Sequence, residues 1–152
     1  MTEHDVLKLE NQLCFPLYAA AKEVVSQYKP LLSDIGLTYT QYITMMVLWE
    51  HGSASVGEIG ERLYLDSGTL TPLLKRLEAK GLIRRERSAA DERTVVISLT
   101  DAGGALEDRA AQVPLKLATC MPLSQEESRT LYQLLYKLLE NFTCGHQASQ
   151  HL

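Results

Sequence analysis

Two groups of residues in this chain can do chemistry. The first is a single thiol near the start, Cys14, within LENQLCFPLYAA. A thiol attacks peroxides as its thiolate. The thiolate is favoured where unpaired backbone N–H groups and a helix dipole meet the sulfur. Cys14 lies two residues before Pro16. Proline is best tolerated in the first turn of a helix and is costly deeper, so a helix is expected to start close to Cys14. Leu13, Phe15 and Leu17 form an apolar rim that suits an alkyl or fatty-acid hydroperoxide better than hydrogen peroxide. The plainer reading is a small buried hydrophobe, the usual state of a free cysteine.

The second group lies in YLDSGTLTPLLKRLE, residues 64–78. Asp66 and Ser67 can cap a helix running over 67–80. Leu70, Leu73, Leu74 and Leu77 repeat at helical spacing and make one apolar face. Lys75 and Arg76 ride on the opposite side. Ser67, Thr69 and Thr71 stand at the leading end, where a recognition helix offers its first side chains to base edges and phosphates. GLIRRER and TVVISLT then read as two strands around the polar turn SAADER. Such a basic hairpin after a helix-turn-helix is a wing. It carries Arg84, Arg85 and Arg87 on one strand and Arg93 at the tip, from where an arginine can enter a narrow minor groove.

Other chemistries find little support. The four histidines form no metal motif. Cys144 with His146 and His151 is the nearest approach to one, and a terminal tail accounts for it more simply. No glycine-rich phosphate loop and no paired carboxylates stand out. No metal and no cofactor is expected, and an enzyme is not the leading expectation.

The elements that position these groups are mostly helical. A first helix is expected from near Phe15 to about Tyr28, with Leu17, Ala20, Ala21, Val24, Val25 and Tyr28 as its stripe and Pro30 helping to end it. Capping boxes at Thr38–Gln41 and Ser55–Glu58 start the second and third. The third and the helix at 67–80 make the helix-turn-helix. Thr100 and Asp101 can cap a fifth, with Leu106, Ala110, Val113 and Leu117 inward and Pro114 kinking or splitting it. A sixth starts at Ser124–Glu127 and carries Leu131, Leu134, Leu135, Leu138 and Leu139. The fold class is mainly α with a small β-hairpin wing (α+β), a winged helix-turn-helix with N- and C-terminal dimerisation helices. Residues 1–152 form one domain on this reading. Residues 1–30 and 101–144 make the dimerisation region, 31–100 the DNA-binding region and 145–152 a flexible tail.

Charge agrees with this division. The net charge of −4 argues against nucleic acid until its distribution is read. Residues 62–93 hold eight Lys/Arg and five Asp/Glu, a local +3, while the remainder holds seven and fourteen, or −7. A basic segment on an acidic body suits a small DNA-binding protein; a solvated charged face is the alternative. The longest apolar run, ITMMVLW, has seven residues and cannot span a bilayer. The acidic MTEHDVLKLENQ lacks a signal core. A cytoplasmic protein is expected, and its three cysteines, Cys14, Cys120 and Cys144, are then reduced by default. The terminal helices carry more apolar surface than a winged helix can cover, which points to a two-fold homodimer on a pseudo-palindromic operator; the alternative is that they only finish the monomer's own core.

Four segments carry a family resemblance: LENQLCFPLYAA, LTYTQYITMMVLWE, YLDSGTLTPLLKRLE and RSAADERTVVISLT. They resemble the MarR family of winged-helix regulators, and within it the branch that senses organic hydroperoxides (OhrR-like). The resemblance covers residues 7–142. It implies a repressor that holds double-stranded operator DNA as a reduced homodimer and releases it when organic hydroperoxide oxidises Cys14. It further implies tyrosines that hydrogen-bond the sulfur, here Tyr28 and Tyr39, with Tyr18 nearby. DNA contacts would fall on the helix at 67–80 and on Arg93, with Asp91 orienting the wing. In two-cysteine members a resolving cysteine comes from the region of Cys120 in the partner subunit, which implies an intersubunit Cys14–Cys120 disulfide; a mixed disulfide with a small thiol is the other outcome. Pro16 stands where a small non-proline residue is expected in the motif. A regulator governed by a small ligand, with Cys14 structural, and a thiol peroxidase are the competing classes.

Overall fold

The computed structural model describes residues 4–148, with side chains over 4–142. The side chains of Cys144 and His146, and residues 149–152 of the expected tail with His151 among them, lie outside what the structure describes. Two compact units divide the chain at residues 118 and 119.

The first unit opens with two short 3-10 turns, Asp5–Leu7 and Leu9–Asn11. Helix α1 spans Cys14–Ser33, as Pro16 requires. Proline at its third residue costs no helical bond, because the first helical N–H to donate is that of Leu17, to Leu13 at 3.4 Å. Pro30 does not end α1; it sits inside the helix. The helix continues because Leu32 is buried in the core and Leu31 packs against it, and Pro30 itself is exposed. The chain turns only at Gly36, whose φ is +71°.

Helix α2 spans Tyr39–His51 and starts at the expected box: Gln41 N–H donates to the Thr38 hydroxyl and the Gln41 side chain accepts from Thr38 N–H. Strand β1, Ser53–Ser55, leads directly into α3, Val56–Leu63, which starts at the second box. Helix α4 spans Ser67–Ala79, capped by Asp66. Strands β2, Ile83–Arg87, and β3, Val95–Leu99, form the wing, and β1 pairs with the far side of β3, giving the antiparallel order β1-β3-β2. The sequence reading missed β1, since SAS offers no apolar alternation.

Pro114 splits the fifth helix as expected, and a second break precedes it. The segments are α5 (Asp101–Ala105), α6 (Glu107–Ala110) and α7 (Gln112–Ala118), with Pro114 in the first turn of α7. The stripe Leu106, Ala110, Val113 and Leu117 is buried. Gly103 of α5 is essential to this corner: a Cβ there would stand 2.0 Å from the Leu82 carbonyl oxygen.

The core lies under α4 and the sheet. Met45, Leu48, Ile59, Leu77 and Ile97 have no solvent exposure, and Leu70, Leu74 and Ile83 almost none. Trp49 donates its indole N–H to the Gly103 carbonyl at 2.9 Å, pinning α2 to α5.

The second unit holds helix α8, Gln125–Ala148, which passes the start of the expected tail. The Ser124–Glu127 box caps it, with Ser124 N–H to Glu127 Oε2 at 2.8 Å. Leu131, Leu134 and Leu138 are exposed, and Leu135 and Leu139 half-buried. Apolar side chains also stand open on α1, among them Phe15, Leu17 and Tyr18.

Candidate redox and nucleic-acid interface

The sulfur sits where the sequence reading put it. Cys14 is the first residue of α1 and is exposed. Leu13 gives no side-chain cap, so the N–H groups of the first turn are left to solvent or to a ligand. Leu13, Phe15 and Leu17 flank Cys14 in sequence and are themselves exposed, with Leu13 at 78%. Exposure does not fit a cysteine used for packing within this chain. Tyr18 lies one turn further on the same helical face.

The other two tyrosines are elsewhere in the chain. Tyr28 follows Cys14 by fourteen residues of one continuous helix, about 21 Å along its axis at 1.5 Å per residue. A phenol and a thiol cannot span that gap. Tyr28 instead meets Tyr39 of α2, with ring centres 4.9 Å apart, and Tyr42 at 6.0 Å. Burial, then the neighbouring Tyr39, then Tyr42, push the Tyr28 hydroxyl above the usual phenol range. Burial and Tyr39 do the same to Tyr42. The structure thus gathers Tyr28, Tyr39 and Tyr42 into one cluster at the junction of α1 and α2, and leaves Cys14 and Tyr18 toward the far end of α1. Cys120 is exposed and belongs to the second unit.

The basic surface is built by α4 and the wing. Leu70, Leu73, Leu74 and Leu77 face the core, so Ser67, Thr69, Thr71, Lys75 and Arg76 must face outward, and all five are exposed. Asp66 accepts from Thr69 N–H at 2.8 Å and from its hydroxyl at 3.2 Å. These bonds hold the Asp66 carboxyl below its usual range. The Thr71 hydroxyl donates to the Ser67 carbonyl at 2.7 Å. Both threonine oxygens keep lone pairs for an incoming donor.

At the wing tip the Asp91 carboxylate accepts from Arg93 N–H at 3.0 Å and from the Thr94 hydroxyl at 3.3 Å. Arg93 is exposed, and its guanidinium has no ion pair or hydrogen bond among the described residues. Arg87 reaches the Glu92 carbonyl at 3.5 Å. Arg85 differs from these. Its Nε donates to Glu78 Oε2 at 2.8 Å in a half-buried pair that ties β2 to α4. A concave site of ≈ 440 Å³ lies between α3, α4 and the wing, and Ser55, Gly57, Thr71, Arg85, Arg93 and Thr94 are among its lining. The sequence reading did not include Ser55–Gly57, although the capping box there marks a helix N-terminus beside the basic residues.

The family model described as "Transcriptional regulator SarA/Rot" matches residues 26–109. The organic hydroperoxide resistance transcriptional regulator of Bacillus subtilis (strain 168) is 52% identical over 136 residues, covering 90% of this chain and 92% of that one. Among solved structures, reduced AbfR bound to DNA, a Staphylococcus epidermidis protein, is 34% identical with a TM-score of 0.76, covering 92% of this chain and 97% of that one. The disulfide form of AbfR is 34% identical with a TM-score of 0.62, covering 93% and 96%.

Proposed function

Because the chain belongs to the MarR-type winged-helix transcriptional regulators, in the group that holds the SarA/Rot and organic-hydroperoxide-resistance proteins, we propose that it is a homodimeric repressor switched by oxidation of Cys14. The observation that carries this reading is an exposed thiol at an uncapped helix start, within a chain whose α4 and wing present a separate basic face.

The chemistry is a two-electron oxidation. The Cys14 thiolate attacks one oxygen of an organic hydroperoxide. An S–O bond forms, the O–O bond breaks, and the alkoxide leaves as the alcohol after taking a proton. The product is a sulfenic acid. A second thiolate, that of Cys120 in the other subunit, then attacks the sulfenyl sulfur; an S–S bond forms and water leaves. A small cellular thiol does the same chemistry where Cys120 does not reach.

The two-fold assembly is part of this reading. Exposed apolar side chains on α1 and on α8 need cover, and a second copy supplies it. A dimer also answers the 21 Å gap, since Tyr28 and Tyr39 of one copy can meet Cys14 of the other only across such a seam. In the DNA complex Ser67, Thr69, Thr71, Lys75 and Arg76 lie in the major groove, with Arg87 and Arg93 at the backbone and minor groove. Arg85 holds the wing to α4 through Glu78, and Asp91 shapes the tip.

Two variants test the proposal. Cys14→Ser is expected to bind operator duplex and to keep it after cumene hydroperoxide. Cys120→Ser is expected to yield no crosslinked dimer on non-reducing electrophoresis. Peroxide-driven release from Cys14→Ser contradicts the sensor role of Cys14; a crosslinked Cys120→Ser dimer contradicts the disulfide.

A further inference from the structure

The loop that joins the two tyrosine-bearing helices is tied to the end of the recognition helix by one lysine. Lys80 is the C-cap residue of α4. Its ammonium donates to the Gly36 carbonyl and to Gln41 Oε1, the latter at 3.2 Å. Gln41 is buried at 4% exposure, an unusual place for an amide. The same Oε1 accepts from Thr38 N–H at 3.1 Å, so the cap of α2 and the lysine of α4 share one oxygen. On the other side of the loop, Arg109 of α6 donates to the Asp34 carbonyl.

This loop stands between the two sensing phenols. Tyr28 lies on α1 before it, and Tyr39 is the residue after Thr38. Their rings are in contact, so a change in one displaces the other and with it the first turn of α2. The apolar packing between α2 and α4 is non-directional and tolerates a small slide. The charge-assisted bonds from Lys80 are directional and do not. They end on the backbone carbonyl of Gly36 and on the buried amide three residues after Thr38.

We propose that Lys80 is the positioning residue through which the tyrosine cluster sets the placement of the recognition helix. The inference rests on the redox reading above. It assigns Lys80 no contact with DNA and no part in the oxidation of the sulfur.

The test uses full-length protein and a duplex selected from a random library by the reduced wild type. Affinity is measured by fluorescence anisotropy before and after cumene hydroperoxide, and Cys14 oxidation is followed by mass spectrometry. Lys80→Met keeps the aliphatic stem and removes the donors. Its reduced affinity should stay within about threefold of wild type, while the reduced-to-oxidised affinity ratio falls by about fivefold or more, the lower end of ordinary coupling between sites. Cys14 should oxidise at the wild-type rate, and Lys80→Arg should restore most of the ratio. An unchanged ratio in Lys80→Met overturns the inference, as does a reduced affinity far below wild type or slower Cys14 oxidation. If wild type itself fails to release the duplex, the redox reading falls and takes this inference with it. Normal wild-type release with normal Lys80→Met release removes Lys80 alone.

Discussion

Replacing Arg85 and Arg93 separately by methionine should give different salt behaviour, although both are wing arginines. Arg93 is an exposed cation at the wing tip with no ion pair among the described residues, so on the proposed reading it enters the field of the duplex and displaces a counterion. Each such contact contributes about 0.9 to the slope of log affinity against log salt. Arg93→Met should therefore flatten the slope by about 0.9. Between about 50 and 200 mM salt, the variant should lose about 3.5-fold less affinity than wild type. Arg85 forms a neutral pair with Glu78 at 2.8 Å, with side-chain exposures of 29% and 38%. On the proposed reading Arg85 neutralises Glu78 rather than a phosphate, so removing it leaves the counterion count nearly unchanged and leaves the Glu78 carboxylate without this partner. Arg85→Met should thus weaken binding at every salt concentration with a slope within about 0.3 of wild type. Anisotropy titrations of reduced protein at four or five salt concentrations read both slopes. Equal flattening by the two variants, or none with Arg93→Met, would refute the assignment of one arginine to DNA and the other to the helix–wing strut.

Further outcomes follow from the packing and the titrating groups. Leu74→Ala opens a cavity under α4 and should cost about 2–5 kcal/mol, seen as a lower urea midpoint. Gly103→Ala forces a methyl against the Leu82 carbonyl and should cost more than the about 1–3 kcal/mol of ordinary overpacking; a wild-type midpoint would show that the α5 corner yields freely. The Tyr28 and Tyr42 hydroxyls are raised above the ordinary phenol value of about 10. The unfolded chain therefore releases these protons first, and stability is present below that pH and lost as pH rises through the folded values. Urea midpoints at alkaline pH should fall more steeply for wild type than for Tyr28→Phe. On the proposed reading a second copy covers α1 and α8, so the melting temperature should rise with protein concentration; a constant value speaks against the dimer.

Much of the fold was legible because its signals are local. Thr38–Gln41, Ser55–Glu58 and Ser124–Glu127 each name a helix start by residue type and spacing, and each forms the expected bonds. Pro16 and Pro114 fixed or broke helices for the same reason. Pro30 misled because the burial of Leu32 outweighs one lost helical bond, and that burial depends on residues remote in sequence. Strand β1 was hidden because three small residues pair only once β3 is in place. The cysteine and the outward face of α4 were readable from position alone. The Arg85–Glu78 pair and the Lys80–Gln41 bond were not, since both depend on how α4 packs against its neighbours.

The most direct test of the account joins one sulfur to one affinity. Reduced protein is treated with increasing amounts of cumene hydroperoxide, and each sample is divided between intact-mass analysis of Cys14 and anisotropy on the selected duplex. The fraction of bound DNA should fall in step with the fraction of unmodified Cys14, and reductant should restore both. Complete modification of Cys14 with undiminished binding would contradict the account, as would release while Cys14 stays intact.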